Sequence, residues 1–139
     1  MKKRLLTLFG LFVSPFLFSQ ILTVNSGSSV SIASGSSVTL GGLEIAPSDT
    51  YVISGDNAVS RSTSAITAGD NSSVSRVYST TALLSGFAGT LTFSYLDGEL
   101  NGIEEANLVL ELQADDDSWT SYNGTVNEAN NTVSYPFTD

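Results

Sequence analysis

The stretch Asp97-Gly98-Glu99-Leu100-Asn101-Gly102-Ile103-Glu104-Glu105 puts four carboxylates into one connection, and it is the place in the chain where side chains could converge on a cation. Asp97, Glu99 and Asn101, followed by Gly102, stand at positions 1, 3, 5 and 6 of a calcium-loop pattern, with the Ile103 carbonyl at 7 and Glu105 at 9. Leu108 stands at position 12, where that pattern needs a bidentate Glu. Calcium is therefore the one cofactor for which the sequence offers ligands. The plainer reading is a solvated turn whose Asn and Gly set the backbone. A second chemistry is glycan contact at Trp119 and Tyr122, since flat aromatic faces suit the C–H faces of pyranose rings. Against it, Trp119 follows a turn in the position of a core anchor, and Tyr95 continues a buried strand face. Glu99 and Glu105 have the chemistry of a glycosidase pair, but nothing in the sequence sets two carboxylates across a cleft.

Histidine and cysteine are both absent. Zinc sites of the usual ligand types and the Ser-His-Asp and Cys-His arrangements are thereby excluded, and so are disulfides. No catalytic residues are assigned, and the chain is read as a non-enzyme. Lys2, Lys3 and Arg4 lie in the first few residues, so the rest carries Arg61 and Arg76 against 14 acidic residues, a net charge of −12. Such a chain repels nucleic acid and anionic lipid. Its partners are expected among glycans, cations, host or cell-surface proteins and neighbouring domains of a longer surface protein.

Elements able to position the acidic loop are legible on both sides of it. Leu91, Phe93 and Tyr95 alternate with Thr92 and Ser94; Leu108, Leu110 and Leu112 with Val109 and Glu111; Val133, Tyr135 and Phe137 with Ser134 and Pro136. Period two predicts strands with one buried face, here expected to share one antiparallel sheet from Leu91 to Phe137. Thr50 to Ser54 and Val74 to Thr81 read as further strands. Turn signals punctuate them: Gly55-Asp56-Asn57, Gly69-Asp70-Asn71, Asp115-Asp116-Asp117, Asn123-Gly124 and Asn127 to Asn131. Turns every 8 to 12 residues or so point to an all-β antiparallel sandwich.

Residues 1–19 read as a secretory signal peptide, a basic head followed by an apolar run and a polar exit at Ser19-Gln20. Its removal is expected to leave no membrane anchor. Residues 20–46 contain an eight-residue repeat, Val24-Asn25-Ser26-Gly27-Ser28-Ser29-Val30-Ser31 and Ile32-Ala33-Ser34-Gly35-Ser36-Ser37-Val38-Thr39. This predicts a partial turn of a β-solenoid, or else a Ser/Gly-rich linker, with a boundary near Ala46 and a sandwich module over 47–139.

The spacing Asp97-x-Glu99-Leu100-Asn101-Gly102-Ile103-x-Glu105-x-x-Leu108-x-Leu110, then Trp119, then Gly124-Thr125-Val126-x-x-Ala129-Asn130-Asn131-Thr132-Val133, resembles a β-sandwich module that recurs in secreted and surface proteins of the Bacteroidetes. The resemblance covers about residues 50 to 137. It implies an immunoglobulin-like fold and an architectural role at the cell surface, with no catalysis. Such modules continue through another apolar strand, so a C-terminal truncation after Asp139 is expected. The sequence thus leads to a secreted or outer-surface, adhesin-like structural module, with a calcium-dependent or carbohydrate-binding module as the second reading.

Overall fold

The computed structural model describes residues 19–68, 71–82, 84–114 and 116–138. The expected signal peptide and the second Gly-Asp-Asn turn, at residues 69 and 70, lie outside or partly outside these. Among the described residues, every regular element other than two three-residue 3-10 turns is a strand, and every ladder between strands is antiparallel.

The first half of the fold is one long hairpin bent at two corners. The outgoing arm comprises β1 (Ser19–Val24), β2 (Ser29–Ile32) and β3 (Val38–Leu40); the returning arm comprises β4 (Leu43–Pro47), β5 (Tyr51–Ser54) and β6 (Asn57–Ser62). Pairing is nested, β3 with β4, β2 with β5 and β1 with β6. Gly41 and Gly42, at φ +57° and +102°, make the two-residue tip that joins Leu40 to its partner Leu43. Positive φ at both central residues is what a two-residue hairpin turn needs to match the strand twist. The repeat supplies the corners of the outgoing arm. Ser28 N–H donates to the Asn25 carbonyl and Ser36 N–H to that of Ala33, each at 3.0 Å, and the third residue of each turn is a glycine, at φ +77° and +75°. That is the pattern of a type II turn.

Because the corners recur every eight residues, the inward residue recurs too. Val24, Ile32 and Leu40 are all buried and belong to one cluster with Leu43, Ile45, Ile53, Val59 and Leu91. Ile45 and Val59, 0% and 1% exposed, sit at its centre. The repeat is therefore neither a linker nor a parallel solenoid face; its strands find their partners in the returning arm. The boundary expected near Ala46 falls inside a sheet. Strand β4 pairs along β10 (Gly89–Ser94), with Ile45 opposite Leu91 and Ala46 opposite Thr90, so residues on both sides of Ala46 share one core.

β10 is the centre of a five-stranded sheet in the order β13-β14-β10-β4-β3, with β13 at Thr125–Asn127 and β14 at Thr132–Phe137. A three-stranded sheet, β1-β6-β9, adds β9 (Val77–Thr80) on the far side of the hairpin. Two short strands, β7 (Thr67–Ala68) and β8 (Asn71–Ser72), form a small separate ladder. The chain does not form one sheet from Leu91 to Phe137 as the alternation suggests. Both sides of β10 are taken, by β4 and β14, so β11 (Leu110–Gln113) is displaced and pairs instead with β12 (Trp119–Tyr122). Its inward residue Leu110, with Leu108 just before the strand, joins Tyr95 and Val133 in a second cluster. Strand β9 is shorter than the predicted Val74 to Thr81, because Ser75 N–H is drawn off to the Glu99 carbonyl at 2.7 Å.

Candidate functional site

The acidic loop leaves β10 at Tyr95 and returns at β11. It contains two short 3-10 turns, Asp97–Glu99 and Glu105–Asn107. Asn101, at φ +53°, turns the chain between them, and its side-chain amide donates to Ser72 Oγ at 2.9 Å and to the Ser73 carbonyl at 3.1 Å. Asn tolerates this left-handed backbone better than most residues, which is the turn role expected of Asn101-Gly102.

Each of the other predicted side-chain ligands has its own partner. Glu99 accepts a two-pronged contact from Arg76, Nε to Oε2 at 2.8 Å and Nη2 to Oε1 at 3.0 Å, and Oε2 also accepts from Leu96 N–H at 2.9 Å. Asp97 accepts from the Asn131 side-chain amide, which is itself held by a left-handed turn at φ +51°. Glu105 Oε2 accepts from the Tyr95 hydroxyl at 2.9 Å. Ile103 packs its side chain against the Tyr95 cluster. The five residues of the calcium pattern thus do not converge on one point. Among the described residues, no group of three or more acidic side chains is placed to hold a metal ion. Asp97, Glu104, Glu105 and Glu128 do share the wall of a shallow notch of about 480 Å³.

Electrostatics follow the same pairings. Burial alone would raise the Glu99 carboxyl, but the hydrogen bonds from Arg76 and Leu96 N–H and the Arg76 charge outweigh it, holding it below the ordinary glutamate value. Tyr95 is 5% exposed, and burial pushes its hydroxyl up to about 12, helped by the bond to Glu105 and the charges of Glu105, Glu128 and Asp97. A guanidinium in contact with one would-be ligand also repels a cation from it. Arg76 is the functional residue that the loop pattern misses. Its signal was available in composition, because it is one of two arginines facing 14 acidic residues.

Trp119 and Tyr122 are three residues apart on β12, so the pleat sends them to opposite faces. Tyr122 packs on Tyr135 and Phe137, with ring centroids 4.9 and 5.0 Å apart and planes tilted by 56° and 64°. Trp119 instead lines an open groove of about 1690 Å³ between β9 and β11, together with Tyr78, Leu91, Phe93, Leu110 and Phe137. The two aromatic residues cannot form one stacking platform. Tyr51 is engaged edge-on with Phe87 at 5.2 Å, and Tyr95 is inside the core. Aspartates 116 and 117 sit at the β11–β12 hairpin, where Asp117 takes φ +63° and Asp116 Oδ1 accepts from Ser118 N–H at 3.1 Å. Asp115 lies outside the described residues.

No family model, no curated protein and no solved structure matches this chain.

Proposed function

We propose that the chain is a non-catalytic structural module of a secreted or cell-surface protein, an adhesin-like β-sandwich of immunoglobulin-like type. One observation carries this reading: the residues with the best chemistry are spent on internal ties. Glu99 clamps β9 through Arg76, Asn101 holds the segment after β8, Asp97 reaches the turn before β14, and Glu105 secures Tyr95. The acidic loop is a strut that joins distant parts of the fold. Glu99 and Glu105, the pair with glycosidase chemistry, are each engaged by a neighbouring side chain.

The basic head and apolar run of residues 1–19 support export, and the low-lysine acidic remainder supports solubility outside the cell. The test is recovery of the product from producing cells. Export predicts a soluble chain outside the inner membrane whose mass corresponds to an N-terminus near Gln20. An intact chain beginning at Met1 in the membrane fraction contradicts it. A glycan array probes the other reading: specific binding that vanishes in a folded Trp119→Ala chain would replace the architectural role with recognition.

A further inference from the structure

The outgoing arm of the bent hairpin forms a free edge. Strand β1 ends the three-stranded sheet, β3 ends the five-stranded sheet, and β2 pairs with β5 alone, so among the described residues all three lack a neighbour on one side. It is the same side in each case, since β9 and β10 extend the sheets from β6 and β4 in the returning arm. Exposed edges are normally protected by charge or proline. Here residues 19–43 contain no charged residue and no proline, although the chain beyond residue 20 carries a net charge of −12. The only irregularity is a register shift in β1 between Gln20 and Leu22.

We infer that this edge is a strand-pairing surface whose occupant is a second copy of the same edge, related by a two-fold axis through β2. Two facts select a second copy. A strongly acidic chain can approach its twin closely only where charge is sparse, and residues 19–43 contribute none to the edge; the carboxylate beside it, Glu44, accepts from Ser37 Oγ at 2.7 Å, at the β3 end and away from the axis through β2. The spacing is also self-complementary. With Ser31 opposite its symmetry mate, antiparallel pairing sets Val30 opposite Ile32 and Val24 opposite Val38. Inward residues then meet inward residues, and the Gly27 corner lies against the Gly35 corner to within one residue. At the glycine of each corner there is room, as the space where a Cβ would stand at Gly27 and Gly35 is open. An isologous contact of this kind closes at the dimer.

The test exploits Ser31, which is exposed and lies on the axis. Sedimentation velocity of the purified chain over a dilution series is expected to show a species of twice the chain mass that dissociates on dilution. Ser31→Lys and Ser31→Glu are each expected to be monomeric with unchanged circular dichroism, and an equimolar mixture of the two is expected to regain the dimer. Ser79→Lys, on β9, is expected to dimerise like the parent chain. A chain monomeric at every concentration, a dimer that survives both Ser31 substitutions, loss of the dimer on Ser79→Lys, or assemblies larger than two would each overturn the inference.

Discussion

At the scale of single residues, the Arg76–Glu99 contact decides what the acidic loop does. Both side chains are largely buried, 11% and 18% exposed, and hydrogen-bonded in two places. Hydrogen bonds to charged groups contribute about 1.5–3 kcal/mol, so Arg76→Ala is expected to cost about 2 kcal/mol in urea denaturation. The pH dependence has a definite sign. The folded Glu99 carboxyl lies below its unfolded value, so its contribution is complete above the unfolded glutamate pKa of about 4.3 and disappears as pH falls through the lower folded one. Melting temperature should therefore drop below about pH 4, and Glu99→Gln should flatten that drop. Tyr95 acts at the other end of the scale. Its folded value of about 12 exceeds the ordinary 10, so the unfolded chain releases the proton first and stability falls as pH rises between them. Absorbance titration should show a phenolate step near pH 12, and Tyr95→Phe should remove that step.

At the scale of elements, the bent hairpin explains why an eight-residue repeat of Ser and Gly folds at all. Each unit delivers one buried side chain and one glycine corner, so the unit's stability rests on a single inward residue. Truncating Ile32 to Ala should cost about 2–4 kcal/mol, as for other buried aliphatic residues, whereas Ser28→Ala or Ser36→Ala at the exposed corners should stay within about 0.5 kcal/mol. Gly42→Ala should cost about 2 kcal/mol, since a Cβ there would run into the Arg76 guanidinium and force positive φ on alanine. Strands and turns were legible here because alternation and Gly-Ser corners are local signals. Partner choice was not. β1 finds β6 and β4 finds β10 across some forty residues of chain, and local pattern carries no such information. The same limit governed the loop. Asn101-Gly102 announced a turn, and the turn is there, but Ser73, Arg76 and Asn131 reach the loop from distant segments. A row of oxygen donors at calcium spacing looks the same in sequence whether its members face one ion or several partners.

At the scale of the whole molecule, a chain with 14 acidic residues and few cations must place its carboxylates where repulsion is tolerable. The fold does this by tying some of them down singly and leaving others at the surface. Self-repulsion remains, so raising sodium chloride should stabilise the protein modestly without reference to any site. Site-specific calcium would behave differently, raising stability with the logarithm of concentration above its dissociation constant. The central claim, that the loop is a structural tie, is tested most directly by the melting curve in calcium against chelator at matched ionic strength. The expected result is coincident curves for the parent chain and for Asp97→Asn, with Arg76→Ala melting lower in both conditions alike. A saturable rise in melting temperature with calcium that Asp97→Asn abolishes would contradict it.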